Sequence, residues 1–173
     1  MHIQLRIGGM RIFKWSSQCL CPILARVRHA VIGQPFIVGV FSGPGKPDPS
    51  DDFLNDCVGE LNDLLTSGLR VPRTKNIVKV SLANVICDTT ARCFVRQVKA
   101  HNGDYGCDSG RLRDDRSLRL RRQEPHHKDR SPFEDLPVHM SASFLLDYMH
   151  PVCLGVMRNL LHIWRPGSNN YSN

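Results

Sequence analysis

The N-terminal part of the chain alternates between apolar and polar positions with a period of two. From Ile3 to Ile7 every second residue is apolar, and two glycines then interrupt the pattern. This period places alternate side chains on one buried face and predicts a strand over 2–7, with room for a continuation over 10–13. Two further strands are predicted over 23–28, where apolar residues alternate with arginines, and over 36–41. The short connections favour an antiparallel meander.

A helical period follows a loop rich in proline, glycine and serine. Apolar residues from Phe53 to Leu65 recur at intervals of three and four, which marks one face of a helix. Ser50 or Asp51 is placed to cap its N-terminus, and Gly68 is placed to end it. The acidic residues of this region are then mainly the solvated face of the helix.

A buried strand is predicted over 77–87 (IVKVSLANVIC), where both faces become apolar towards the end. This is the pattern of a central strand covered on two sides, and Asp88 follows it directly. A short helix is predicted over 90–98 and another over 154–164. The stretch 111–137 between them is polar and has too few apolar residues for a core of its own.

Together these patterns predict an α/β chain with a mixed sheet, in which an antiparallel meander is joined by a parallel strand and flanked by helices. Three strands, a helix and a buried strand ending in aspartate form the opening order of an RNase H-like fold, here incomplete. The predicted parts are a core over 1–100, a basic polar insertion over 101–140, a helical segment over 141–165 and a disordered tail over 166–173.

Basic residues outnumber acidic ones by 23 to 16, giving a formal net charge of +7. Such an excess favours anionic partners such as nucleic acid, although a solvated basic surface gives the same totals. The candidate phosphate contacts are Arg111, Arg113, Arg119, Arg121 and Arg122. Flexible cations suffice for sequence-independent contact with DNA. No aromatic residues are interleaved with them, so stacking on single-stranded bases is not favoured, and a solvated loop is the alternative.

The seven cysteines are odd in number and scattered, and no secretory signal precedes them. A disulfide framework is therefore not expected, and a reducing intracellular compartment fits better. The longest apolar run, 36–41, is too short to span a bilayer. The sequence thus predicts an intracellular chain without a membrane segment, and it leaves the oligomeric state open.

A series of short motifs runs in order along the chain. They are FIVGVFSG at 36–43, KP at 46–47, DFL at 52–54, ICDTTAR at 86–92, HNGDYGC at 101–107, LDYMH at 146–150 and CLGVMR at 153–158. In this order they resemble the catalytic segment of animal CACTA (En/Spm-like) DNA transposases, over roughly residues 9 to 164. The resemblance implies an RNase H-like fold, a nuclear location and DNA as the partner.

The resemblance also implies a catalytic centre in which three carboxylates hold two divalent metal ions such as Mg²⁺ for attack on phosphate. Asp88 matches the second carboxylate, and its alternative role is to cap the next helix. The first carboxylate falls at Gly8, and no acidic residue precedes Asp48. The glutamate of a later helix has no counterpart, because Asp147 is the last acidic residue. We therefore expect Asp88, the remnant of the triad, to hold Mg²⁺ only weakly.

The family's zinc motif is present only in part. Cys107 matches the first cysteine of a Cys-x-x-Cys pair, but Gly110 occupies the second position. A four-ligand zinc site needs both thiolates or a substitute, so tight zinc binding is not expected. The histidines that are available as substitutes are His101, His126, His127 and His139, and histidines at such spacings in a polar loop are more typical of a plain surface.

The 146–150 motif admits two interpretations. Asp147 is placed to cap the following helix, with Met149, Leu154 and Met157 packed in the core. Alternatively, His150 contacts a phosphate or a metal ion. The sequence does not decide between them.

Three functional hypotheses follow from these residues. The first is a transposase-derived fragment that is catalytically inactive. The second is a non-catalytic nucleic-acid-binding or protein-interaction module retained from a transposase, and the third is an active nuclease. Salt-dependent DNA binding distinguishes the second from the first, and metal-dependent nicking identifies the third.

Overall fold

The computed structural model describes residues 1–13, 15, 17–100, 104–105 and 113–164. The strands are β1 (His2–Ile7), β2 (Met10–Arg11), β3 (Gln18–Arg28), β4 (Phe36–Pro44), β5 (Leu69–Arg70), β6 (Ile77–Val78), β7 (Ser81–Cys87) and β8 (Phe144–Leu146). The α-helices are α1 (Ser50–Ser67), α2 (Thr89–Val95), α3 (Asp115–Arg119) and α4 (Arg158–Trp164). Two 3-10 turns (Glu124–His126 and Pro132–Asp135) and a π-helix (Met149–Met157) complete the described elements.

Six of these strands form one mixed sheet. β1 and β2 lie along one edge of β3 in a continuous antiparallel register, and β4 pairs antiparallel with β3 as well. On its other side β1 pairs in parallel with β7, and β7 pairs in parallel with β8. The predicted mixed α/β architecture is therefore confirmed, including the strand over 2–7 and its continuation at β2.

The predicted strand over 77–87 is wrong in one respect, because it is two strands in two sheets. β6 pairs with β5 in a separate two-stranded sheet, whereas β7 belongs to the main sheet. The chain passes between the sheets at Lys79 and Val80, where the Lys79 carbonyl accepts a hydrogen bond from the N-terminal ammonium and the Val80 side chain is buried. A local apolar pattern does not reveal a change of pairing partner.

Helix α1 ends where the sequence predicts, at Gly68, whose φ of 73° lies in the left-handed region that glycine adopts without strain. Its beginning differs. The N-cap residue is Pro49, which provides no side-chain cap, so the predicted cap at Ser50 or Asp51 is wrong. Helix α2 is shorter than predicted, because the chain leaves it at Arg96 and Gln97 takes a positive φ of 51°.

The hydrophobic core fills the space between the sheet, α1 and α2. Alternate residues of β1 (Ile3, Leu5 and Ile7) belong to one buried cluster with Leu54, Val58 and Leu61 of α1. The polar stretch 111–137 contributes Leu118, Phe133 and Leu136 to the same cluster, and the Phe133 ring packs edge-on against Phe144 at 5.4 Å between centroids. This stretch therefore lacks a separate core but joins the common one. No helix of the described residues combines the length and apolarity needed to cross a membrane.

Candidate functional site

Three parallel strands end side by side at one edge of the main sheet. Ile7 of β1 is level with Cys87 of β7, and Cys87 is level with Leu146 of β8. The residues that follow these strands are Gly8, Asp88 and Asp147. They line a cavity of about 460 Å³, which we call the carboxyl-end cleft. Clefts at the carboxyl ends of strands, where neighbouring connections run in opposite directions, are a common place for ligands in α/β sheets.

Asp88 lies at the end of the buried strand beside β1, as the sequence predicts, and it also caps α2. Its Oδ1 accepts hydrogen bonds from the backbone N–H of Ala91 and from Thr90 Oγ1, both at 2.7 Å. Its Oδ2 accepts the backbone N–H of Gly9 at 3.3 Å. Burial raises the pKa of Asp88, but these hydrogen bonds, with Lys46 nearby, bring that pKa below its ordinary value. The carboxylate is thus ionised and already bonded by the chain.

Asp147 is nearly buried, with 9% of its side chain exposed, and it is paired with Arg6. Arg6 Nη2 donates to Asp147 Oδ2 at 2.6 Å, and the backbone N–H of Met149 donates to Oδ1 at 3.1 Å. The backbone N–H of Asp147 itself donates to the Cys87 carbonyl at 2.7 Å, which continues the β7–β8 pairing. The guanidinium of Arg6 is therefore a cation that the chain supplies to the cleft.

The predicted packing of the helix after Asp147 is wrong for two of its residues. Met149 is 52% exposed and Met157 is 44% exposed. A π-helix over Met149–Met157 changes the angular spacing of these residues, which the α-helical pattern did not anticipate. Asp147 does satisfy a backbone N–H at the start of this helix. The side chains of His150 and Leu154 lie outside the description.

A pair of divalent metal ions does not fit the described residues of this cleft. Both carboxylates accept hydrogen bonds from the chain, and Arg6 already neutralises Asp147. A Cβ added at Gly8 would lie 3.5 Å from Asp88 Oδ2, so a carboxylate at that position would stand directly beside Asp88. Because Gly8 has no side chain, this position offers no ligand to a metal ion. Within the ranges that the structure describes, no three His, Cys, Asp or Glu residues are grouped to hold a metal ion.

The residues of the zinc motif are described only in part. Cys107, Gly110 and His101 lie outside the described residues. Among the available histidines, His126 is buried with its Nδ1 2.7 Å from the Tyr105 carbonyl oxygen. His139 Nδ1 accepts the backbone N–H of Ala142 at 3.1 Å. Both rings are therefore engaged by neighbouring backbone. The six described cysteines form no disulfide bond with one another.

The candidate phosphate-binding arginines have two different environments. Arg119 is largely enclosed, and its guanidinium donates to the carbonyl oxygens of Glu134 at 2.6 Å and Leu136 at 3.2 Å, to that of Val138, and to Asp115. Arg113 donates to Gln123 Oε1 at 2.9 Å. Arg121 and Arg122 are exposed, and Arg111 lies outside the described residues. Of the four described candidates, the exposed pair Arg121 and Arg122 is best placed for contact with an external phosphate.

Sequence reasoning did not identify Arg6 as part of this site. The pattern places Arg6 on the polar face of β1, but its partner is 141 residues away along the chain. The two meet only because β7 lies between β1 and β8 in the sheet. The available signal was that Arg6 lies just before the end of one strand and Asp147 just after the end of another. Such residues come close to each other when the strand ends are level.

The chain matches no protein-family model, and comparisons with curated proteins and with solved structures gave no match either. The function is therefore inferred from the sequence motifs and from the geometry of the cleft. The geometry contains two carboxylates, one guanidinium and a glycine where a third carboxylate has room.

Proposed function

We propose that the chain derives from a CACTA-type cut-and-paste DNA transposase, keeps an RNase H-like core and does not cleave DNA. The observation that carries the proposal is the meeting of Gly8, Asp88 and Asp147 at the ends of three adjacent parallel strands. An antiparallel meander followed by parallel strands on the other side of β1 is the arrangement expected of an RNase H-like fold. In this proposal the chain belongs to the nucleus.

The position of Gly8 supports the alignment with the family's first carboxylate. A side chain there would begin 3.5 Å from Asp88 Oδ2. The backbone at Gly8 does not take a left-handed φ, so an aspartate fits there without backbone strain. The glycine therefore removes a ligand from a place where the fold accepts one.

The partners of the remaining acids explain the expected loss of activity. Phosphoryl transfer by two metal ions needs several converging carboxylates, because two cations close together repel unless negative charge surrounds them. Asp88 caps α2 and tethers Gly9, and Asp147 is paired with Arg6. Neither offers an unbonded oxygen pair to a metal ion.

Nicking of supercoiled plasmid in the presence of Mg²⁺ or Mn²⁺ tests the proposal. We expect no nicking by the purified chain, and none after Gly8→Asp alone, because Asp147 remains paired with Arg6. Metal-dependent nicking that disappears in Asp88→Ala would contradict the proposal. Nicking that survives this substitution would identify a contaminating nuclease.

A second candidate is a non-catalytic module that binds nucleic acid, and the exposure of Arg121 and Arg122 favours it. Each phosphate contact releases counterions, so affinity for duplex DNA should fall as salt rises. Replacing both arginines with alanine should reduce the slope of log affinity against log salt by about 2. Fluorescence anisotropy across a salt series measures this slope. Absence of binding at low salt would contradict this second candidate.

A further inference from the structure

Strand β4 forms one edge of the main sheet. It pairs with β3 on one side and, among the described residues, with no strand on the other. A free edge presents a row of backbone N–H and C=O groups with which an extended chain can pair. Charged residues or prolines usually protect such an edge, and β4 has neither between Phe36 and Gly43, although a bulge at Val38 interrupts its register. None of the hypotheses drawn from the sequence uses this edge.

Exposed apolar side chains lie along β4 on the face of the sheet away from α1. Ile37 and Val40 are both exposed, and they pair with Leu24 and Pro22 of β3. Directly opposed residues of an antiparallel pair lie on the same face of the sheet. Leu24 and Pro22 alternate with Ile23, which is buried in the core shared with α1. Ile37 and Val40 therefore lie on the other face, where they offer apolar surface to a neighbouring strand.

On the face that carries α1, a groove of about 240 Å³ runs between this helix and β4. Val38 and Gly39 form its β4 side, and a Cβ added at Gly39 would meet no atom within 4 Å, so the groove is open there. The α1 side carries three exposed carboxylates, Asp52, Asp56 and Glu60, which we call the acidic stripe. Like charges at a spacing of four residues on a helix repel each other, so cations beside the stripe would stabilise it.

A second copy of this chain is a poor partner for the free edge. In a symmetric dimer with antiparallel β4 strands, the two-fold axis is perpendicular to the continued sheet. Both α1 helices then lie on the same side of that sheet, and their acidic stripes face each other. The two sets of carboxylates repel, whereas lysine or arginine side chains of a different chain are attracted.

We propose that the free edge of β4 binds an extended segment of another polypeptide in which basic and apolar residues alternate. Neighbouring strands lie about 4.8 Å apart, and successive side chains of a strand point to opposite faces. A segment paired with β4 therefore directs every second residue towards the acidic stripe and places the others beside Ile37 and Val40. Backbone hydrogen bonds provide affinity, and the alternation of side chains provides specificity. The proposal does not rest on descent from a transposase.

Peptide binding to the full chain tests the proposal. The probe is a fluorescein-labelled peptide of nine residues, the length of β4, in which valine and lysine alternate. Fluorescence anisotropy should show saturable binding. Glutamate in place of lysine should weaken binding about tenfold or more, because the acidic stripe repels it. N-methylation of the three central residues removes backbone donors from both edges of the peptide and should weaken binding by about the same factor.

The peptide series gives a definite result in either direction. Absence of saturable binding by the valine–lysine peptide would overturn the proposal. Binding of the N-methylated peptide as tight as that of the first would show attraction between charges without strand pairing, and would overturn it as well. Equal binding of the glutamate peptide would exclude the acidic stripe from recognition, with the same consequence.

A charge reversal in the acidic stripe tests the protein side. Asp56→Lys should weaken binding of the valine–lysine peptide about fivefold, since it replaces an attraction by a repulsion. The variant should fold at least as well as the wild type, because a lysine between Asp52 and Glu60 forms favourable pairs at four-residue spacing. Glu124→Lys makes the same charge change at an exposed position outside the groove, and should alter the affinity by less than about twofold. Equal effects of the two substitutions would contradict the proposal.

Hydrogen exchange locates the bound peptide. With the peptide at ten times its dissociation constant, exchange of the amides at the free edge of β4 should slow about tenfold. The amides of β8, at the opposite end of the main sheet, should exchange as before. Unchanged exchange at β4, or protection at β8 instead, would overturn the proposal. Protection of β4 that rises with protein concentration in the absence of peptide would assign the edge to a second copy, and would also overturn it.

Discussion

The acids of the carboxyl-end cleft and the nearby ammonium of Lys46 differ in how their charges are satisfied. In the cleft, Asp88 and Asp147 each accept hydrogen bonds from the chain, and Arg6 supplies the positive charge. The ammonium of Lys46 is also buried, but it has no hydrogen-bond acceptor in the described chain and is balanced only by the nearby charge of Asp88. Charged groups that accept hydrogen bonds from the chain have little capacity left for a ligand, so the two acids of the cleft are not expected to hold a metal ion tightly.

The largest expected effect concerns Arg119, which lies outside the cleft and whose guanidinium donates hydrogen bonds to backbone carbonyls. Arg119→Met leaves the carbonyls of Glu134 and Val138 without the guanidinium donor, whereas the Leu136 carbonyl keeps its hydrogen bond from the Val138 N–H. Because each shielded acceptor left unsatisfied costs about 1 kcal/mol, the free energy of unfolding should fall by about 2 kcal/mol. Urea denaturation measures the change, provided that the slope of unfolding free energy against urea concentration is the same in both proteins.

The exposed Arg121→Met is the control for Arg119, and its unfolding free energy should change by no more than about 0.5 kcal/mol. Equal effects of the two substitutions would show that the carbonyl bonds of Arg119 contribute no stability. DNA binding should show the opposite ranking, since only Arg121 has its side chain exposed.

Removing the cation of the cleft should have the next largest effect. Arg6→Met leaves the nearly buried Asp147 carboxylate without its ion pair, while the exposed half of Arg6 limits the loss, so we expect destabilisation of about 1.5 kcal/mol. Arg28→Met, an exposed arginine at the end of β3, should cost less than about 0.5 kcal/mol. A double-mutant cycle with Asp147→Asn should give a coupling of about 1 kcal/mol, and zero coupling would show that the pair contributes nothing.

The cap formed by Asp88 should have a smaller effect that depends on pH. Asp88→Ala removes an N-cap and should lower the unfolding free energy by about 1 kcal/mol at neutral pH. Since folding lowers the pKa of Asp88, this contribution is complete above the ordinary value of 3.8 and is lost as pH falls through the folded-state pKa. The difference between wild type and Asp88→Ala should therefore shrink in acid.

Asp63→Ala, at an exposed position of α1, is the control for Asp88 and should change the unfolding free energy little at any pH. Urea denaturation at stepped pH values compares the two variants. A difference between wild type and Asp88→Ala that grows in acid would contradict the assigned direction of the pKa shift.

The sequence predicts the parts of this fold whose signal is local. The period of two over 2–7, the glycine that ends α1 and the position of Asp88 are each readable from a few neighbouring residues. Long-range contacts are not readable in that way. The pairing of Arg6 with Asp147 joins residues that are 141 positions apart along the chain. The lack of a hydrogen-bond acceptor for the Lys46 ammonium likewise depends on distant surroundings, which include the Phe94 ring.

Metal binding tests the central claim most directly, because the claim is that the chain's own groups occupy the acids of the carboxyl-end cleft. Electron paramagnetic resonance of Mn²⁺ distinguishes free from bound ion. We expect the wild type to leave equimolar Mn²⁺ free, and a Gly8→Asp, Arg6→Met double variant to bind it, because a carboxylate is added beside Asp88 and Asp147 loses its ion pair with Arg6. Stoichiometric Mn²⁺ binding by the wild type that is lost in Asp88→Asn would contradict the account.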